Sequence, residues 1–145
     1  MIFRTWEFKD IMGIALLEKE LFPGTAWTFE MLADSFHSNK FGGVVCEENG
    51  LILGYGGVTF GVDDAEIDNI GVREPYRGNG IGKTILGRLV KMAKERKMER
   101  ILLEVRVSNT PAQLLYLHHG FHGLYTRPRY YPDGEDAVVM VRELQ

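Results

Sequence analysis

The sequence predicts an α/β protein with a central mixed, mostly antiparallel sheet and helices on both faces. Three observations carry that prediction. Strand-like and helix-like segments follow the order βααβββαβαββ. A turn dipeptide, Asn49-Gly50, joins two runs rich in β-branched and aromatic residues. A strongly amphipathic helix follows a strand whose alternation slips by one residue.

Taken in order, Ile2 to Phe8 reads as a short first strand. Asp10 to Phe22 follows as a helix whose apolar face (Ile11, Ile14, Ala15, Leu17 and Leu21) is uneven. Pro23-Gly24 breaks it, and Thr28 is placed to cap a second helix through Phe36. Gly43–Glu47 and Leu51–Phe60 form the hairpin around Asn49-Gly50, and Glu66–Val72 is the next strand. Ile67, Ile70 and Val72 break the period of two near Asp68–Asn69, which predicts a β-bulge. From Gly82 to Lys97 a helix is expected, because Ile81, Ile85, Leu89 and Ala93 recur every fourth position with Leu86 and Val90 beside them. Arg100 to Val107 is a strand with Ile101, Leu103, Val105 and Val107 on one face. Thr110 precedes Pro111 and is expected to cap a helix beginning at the proline, with Gly120 ending it. Strands near Phe121–Thr126 and Asp136–Arg142, separated by the loop Arg127–Glu135, finish the chain.

At 145 residues this is most simply one domain over 1–145, long enough to bury roughly 68–70% of its unfolded surface. It is 45% hydrophobic and 26% charged with a net charge of −3, the wrong sign for a nucleic-acid binder. Arg4, Glu7, Lys9 and Asp10 interrupt the start, so neither a signal peptide nor a membrane segment is expected. A single cysteine, Cys46, excludes an internal disulfide framework and points to a reducing, cytoplasmic setting. No apolar helix is left over to pair with a second copy, so the expectation is a monomer.

The chemistry concentrates between Glu66 and Lys94. Gly78, Gly80 and Gly82 leave the backbone bare where the amphipathic helix begins. Free N–H groups there, with Arg73, Arg77 and Lys83 nearby, suit a phosphate. Gly82-Lys83-Thr84 is not the end of a Walker A loop, since Arg77 stands where that motif needs glycine. Nor is it a dinucleotide fingerprint from Gly80, since Ile85 stands where Gly or Ala is needed. A glycine-rich turn that only starts a helix is the bland alternative. A pyrophosphate cradle accounts better for the Arg77-x-x-Gly80-x-Gly82 spacing.

Arg77-Gly78-Asn79-Gly80-Ile81-Gly82 resembles the R/Q-x-x-G-x-G/A signature of the GNAT acetyltransferases. The resemblance implies a GNAT-like fold with a bulged, splayed strand pair, and acetyl-CoA as cofactor with no metal. It implies that Arg77, Gly78, Asn79, Gly80, Ile81, Gly82 and Lys83 bind the pyrophosphate. Ile70, Gly71 and Val72 would offer backbone groups to the pantetheine and thioester. Gly71 departs from the alanine more usual there.

A second set of residues resembles the RimI-type N-terminal acetyltransferases: Leu103-Glu104-Val105-Arg106-Val107-Ser108-Asn109, Leu115-Tyr116, Gly120-Phe121, Tyr130-Tyr131 and Glu135-Asp136-Ala137. That resemblance implies acetyl transfer to a protein N-terminal α-amine, with a ribosomal protein beginning with alanine as the expected acceptor. An α-amine has a pKa of about 7.7–8.0 and must lose a proton before it attacks, a task for a carboxylate such as Glu104. The oxyanion formed needs a fixed N–H, which the resemblance assigns to Val72, and the departing thiolate needs an acid, Tyr116. Asn109 would touch the coenzyme as well as start its helix, and Glu66 is the reserve base. Tyr130 and Tyr131 would wall the peptide groove, with Trp27 opposite. The Phe22-Pro23-Gly24-Thr25-Ala26-Trp27 loop departs from the F-P-x-P-W of relatives, so the acceptor can differ.

Pattern alone leaves alternatives open. Glu104 alternates with apolar residues, as a solvent-facing strand residue would, and Tyr116 on an apolar helix suits a core. Cys46 reads as a buried small hydrophobe. His37, His118, His119 and His122 lack metal-ligand spacing. An acetyltransferase for a small amine or lysine is the alternative within the class, and a non-catalytic acyl-CoA-binding module is the alternative outside it.

Overall fold

The computed structural model describes residues 1–145. The strands are β1 (Ile2–Thr5), β2 (Phe41–Glu48), β3 (Leu51–Phe60), β4 (Asp64–Val72), β5 (Arg100–Arg106), β6 (His122–Arg127) and β7 (Ala137–Glu143). They form one sheet in the order β1-β2-β3-β4-β5-β7-β6. Every neighbouring pair is antiparallel except β4–β5, so the expected mixed, mostly antiparallel sheet is observed. The helices are α1 (Ile11–Leu21), α2 (Phe29–His37), α3 (Ile81–Glu95) and α4 (Thr110–His118).

Local sequence accounts for most boundaries. Asn49 and Gly50 have φ of 52° and 82°, the left-handed pair that a tight hairpin between β2 and β3 requires. Thr28 caps α2 by accepting the Met31 N–H at 3.2 Å. The strand expected to reach Phe8 ends at Thr5, because Glu7 and Asp10 form a capping box for a 3-10 turn over Phe8–Asp10. Arg4 locks that turn with bonds of 2.7 and 2.9 Å to Asp10.

Two cores flank the sheet. On one side α3 buries Ile81, Ile85, Leu86, Leu89, Val90 and Ala93, the stripe read from the sequence, against residues of β2 to β5. On the other, α1 and α2 pack Ile11, Ile14, Leu17 and Leu32 on Trp6, Val45, Ile52 and Tyr55. That second cluster takes no residue from β5, β6 or β7.

Two irregularities in β4 shape the rest of the molecule. Gly57 pairs with Asn69 but Val58 pairs with Ile67, which leaves Asp68 as the extra residue of the predicted bulge. β4 also pairs with β5 at only three positions, Asp64 to Glu66 with Arg100 to Leu102. Beyond them the strands part into a V. A bidentate Arg100–Asp64 pair, at 2.8 and 3.2 Å, pins the closed end.

Candidate active site

The V between β4 and β5 opens into a cleft of about 530 Å³. Ile70, Glu104, Asn109, Tyr116, Trp27, Tyr130 and Tyr131 all line it, so residues scattered over the sequence converge on one space. Gly71, Val72 and the Arg77–Lys83 loop are not in its lining and lie beyond its β4 end.

Antiparallel pairing explains what β4 offers to the cleft. Arg73 donates its N–H to the Leu53 carbonyl at 2.8 Å, which makes alternate residues, Gly71 and Asn69, the ones bonded to β3. The N–H groups of Ile70 and Val72 therefore point to the splayed side. The Val72 carbonyl is already engaged by Arg77 Nε at 3.0 Å.

The glycine loop has the geometry of an anion cradle. Gly78 and Gly80 have φ of 83° and 79°, conformations in which a side chain would be strained. Gly80 is the N-cap of α3 and no side chain caps the helix. Its first internal bond is Thr84 N–H to the Gly80 carbonyl at 3.0 Å, which leaves the N–H groups of Ile81, Gly82 and Lys83 unpaired within the helix. Asn79 braces the turn through its Nδ2 on the Tyr76 carbonyl at 3.0 Å, and Lys83 is exposed beside it. Ile81 is buried among the α3 core residues. Bare N–H groups and flanking cations fit a pyrophosphate.

Asn109, rather than the expected Thr110, is the N-cap of α4, accepting the Ala112 N–H at 3.2 Å. Its amide oxygen reaches the first-turn N–H, and Thr110 falls inside the helix. Tyr116 is both a core residue and a cleft residue. It stands only 8% exposed and packs on Phe121 with ring centroids 5.9 Å apart. Burial, followed by the neighbouring Tyr131, pushes its phenol up to about 12.

Glu104 sits on the face of β5 opposite Leu103 and Val105, as its alternation requires. Its Oε2 lies 3.2 Å from Arg127 Nε, in ion-pair range, yet that shielded oxygen receives no hydrogen bond. Glu66 reaches the same space from β4. Partial burial and then the Glu104 charge raise its carboxyl above the usual carboxylate range. On the bulge, burial lifts Asp68 to about 6, against the Thr59 hydroxyl, which donates to it at 2.8 Å.

The walls are built differently. Tyr131 is held by Arg106, whose guanidinium lies 4.1 Å from the ring centroid and bridges Asp133 and Glu135 at 2.8 and 3.0 Å. Tyr130 meets Tyr131 edge to face at 5.1 Å. Opposite, Trp27 donates its backbone N–H to Glu18 Oε1 at 3.3 Å.

Glu18 is a residue that sequence reasoning passed over. It is fully buried, accepts bonds from the Tyr55 hydroxyl and from Asn69 Nδ2, and burial raises its carboxyl. The signal was present: Glu18 falls on the apolar stripe of α1, four residues after Ile14 and three before Leu21. Arg127, to which the sequence assigns no role, is the cation beside Glu104.

Comparison with known proteins gives a consistent picture. The acetyltransferase (GNAT) family profile matches residues 9–121. A Bacillus subtilis protein provisionally named as a [ribosomal protein bS18]-alanine N-acetyltransferase is 37% identical over 139 residues, covering 94% of this chain and 91% of the relative. The Haemophilus influenzae [ribosomal protein bS18]-alanine N-acetyltransferase is 35% identical over 118 residues, 79% of this chain and 80% of that protein. The crystal structure of the Escherichia coli ribosomal-protein-S18-alanine N-acetyltransferase superposes with a TM-score of 0.89 at 26% identity, covering 99% of this chain and 94% of that one.

Proposed function

The chain belongs to the acetyltransferase (GNAT) family, and on that premise we propose that it acetylates the N-terminal α-amine of a protein. The acceptor we favour is a ribosomal protein that begins with alanine, the activity for which its relatives are named. The observation that carries the reading is the two-walled cleft: the Trp27 loop and Tyr130-Tyr131 flank the splayed strands and leave an open groove between them. A small free amine needs no such walls; an extended peptide does.

Acetyl-CoA, when bound, supplies a thioester carbonyl as the electrophile. In this reading the N–H groups of Ile81, Gly82 and Lys83 hold the pyrophosphate, with Arg77 and Lys83 balancing its charge. The free N–H of Val72 donates to the carbonyl oxygen as negative charge builds there. Glu104 takes the proton of the incoming α-ammonium, directly or through a water, while Arg127 keeps a positive charge beside it. Glu66 is the reserve for that task.

Tyr116 acts on the sulfur. Burial makes the Tyr116 phenol hold its proton more tightly than a thiol does, which favours a hydrogen bond to the departing thiolate over outright transfer. Its role is therefore to donate a hydrogen bond to the departing sulfur, which leaves as a thiolate and takes its proton from water.

The test is turnover with acetyl-CoA on three acceptor sets: N-terminal peptides starting with Ala, Ser or Met, lysine peptides with blocked N-termini, and free amines. Acetylation of unblocked peptides in preference to both other sets is expected. A preference for free amines or lysines moves the acceptor assignment, and no turnover on any set leaves an acyl-CoA-binding module.

A further inference from the structure

A buried carboxylate on α1, bonded to two residues of the cleft lining, has no cation beside it. Buried Asp10 has Arg4 beside it, whereas Glu18 meets only neutral donors: the Tyr55 hydroxyl on β3, the Asn69 amide on β4 and the Trp27 backbone N–H. Both its oxygens are used. A leucine or methionine would fill a stripe position on α1 without the desolvation that a carboxylate suffers. What the carboxylate adds is direction, because three donors on three segments must converge on it.

Two of those segments bound the cleft, while β3, which carries Tyr55, adds no residue to its lining. Asn69 follows the bulge residue Asp68, and both line the floor. Trp27 belongs to the wall and lies outside any helix or strand. The preceding turn is closed by Thr25 N–H on the Phe22 carbonyl at 3.1 Å, and beyond it Glu18 is the anchor of the Trp27 backbone.

We propose that Glu18 is a positioning residue that sets the width of the acceptor groove by tying the Trp27 wall to the bulged strand. This rests on reading the cleft as the acceptor site. Glu18 lies on the α1 side of the sheet, and the α3 glycine loop is no part of its network. Its influence should therefore fall on the acceptor and not on the coenzyme.

The experiment uses Glu18→Gln and Tyr55→Phe in the full chain, with steady-state kinetics on an Ala-starting peptide and amide exchange at Trp27. Glutamine keeps one acceptor oxygen but turns an NH2 group toward a donor. The expected result is a roughly tenfold rise in peptide KM, the effect of one lost hydrogen bond to a charged group, with kcat and acetyl-CoA affinity within about twofold. Exchange at the Trp27 N–H should quicken. Tyr55→Phe keeps the carboxylate and removes one donor, so it should shift peptide KM the same way by about threefold. Should Glu18→Gln fail to fold, Tyr55→Phe decides, and an unchanged peptide KM in it overturns the proposal. Unchanged exchange at Trp27 in a folded Glu18→Gln also overturns it. If the wild type acetylates no peptide at all, the acceptor reading falls, while Trp27 exchange still decides whether Glu18 positions the wall.

Discussion

Tyr55 and Gly71 occupy one space. They pair directly across β3 and β4, and a Cβ on Gly71 would lie 2.7 Å from the Tyr55 hydroxyl and 2.8 Å from two ring carbons. Those contacts are tighter than a real Cβ tolerates. The ring lies there with its hydroxyl on Glu18, so a glycine on β4 answers to a carboxylate on α1. This accounts for the departure from alanine at position 71.

Gly71→Ala is therefore expected to cost about 1–3 kcal/mol, the usual penalty of overpacking. In a Tyr55→Val background the same change should cost at least about 1 kcal/mol less, because the space is then vacant. Urea unfolding of the four variants measures the coupling. Strictly additive losses would mean that the two residues do not share the space.

At Gly80 conformation and ligand binding separate. No atom lies within 4 Å of a Cβ placed there, but φ is 79°. Gly80→Ala should lower stability by about 1 kcal/mol through backbone strain alone. Gly80→Glu adds a negative charge at the helix N-terminus and should weaken coenzyme A binding at least about tenfold, as read by calorimetry. Equal affinity in Gly80→Glu and wild type would remove the cradle from the loop.

Much of this was legible in the sequence because the signals were local. The slip at Asp68–Asn69 foretold the bulge, since a period of two admits no extra residue without one. The fourfold stripe of α3 and the Asn49-Gly50 turn were equally plain. The convergence of Trp27 with Tyr130 and Tyr131 came from family resemblance, because no local pattern brings residues a hundred positions apart together. The role of Glu18 is hidden for a related reason. A charge on an apolar stripe reads as a flaw until its partners, Tyr55, Asn69 and Trp27, are known, and those lie on other segments. The first strand stops at Thr5 rather than Phe8 because Arg4 and Asp10 act through side chains, which no alternation of residues shows.

Catalysis should divide between Glu104 and Tyr116. Glu104→Gln keeps the shape but cannot take a proton, and kcat is expected to fall by about 10²–10⁴ with coenzyme affinity unchanged. Tyr116→Phe removes a hydrogen bond to sulfur rather than a full proton transfer, so a loss of roughly 10–10³ is expected. Single-turnover kinetics measures both. A normal rate in Glu104→Gln passes the role to Glu66 or to water, and a normal rate in Tyr116→Phe leaves that ring to the core it shares with Phe121.

The groove wall gives a separate readout. Arg106 holds the Tyr131 ring at 4.1 Å, so the aromatic surface is fixed before an acceptor arrives. Tyr131→Ala should raise peptide KM by about tenfold and leave acetyl-CoA KM unchanged. Equal losses for peptides and free amines would argue against a peptide groove.

The bulge carries a pH signature. Burial, and less so the Glu66 charge, lifts the Asp68 carboxyl to about 6 from its ordinary 3.8. The folded state thus holds this proton more tightly than the unfolded state does. Below about pH 3.8 both states are protonated and Asp68 costs nothing. Between about pH 4 and 6 the folded state retains more protons, so stability falls as pH rises, and above about pH 6 the full cost is present. Two units correspond to roughly 3 kcal/mol, an upper figure because Asp68 is not wholly buried and Thr59 hydrogen-bonds its carboxylate. Asp68→Asn keeps an acceptor for Thr59 and removes the charge. It is expected to raise stability by about 1–3 kcal/mol at pH 8, with the gain shrinking toward zero at pH 4. Thermal unfolding of both proteins at the two pH values measures this. A gain that does not change with pH would mean that the Asp68 charge is not what the bulge strains against.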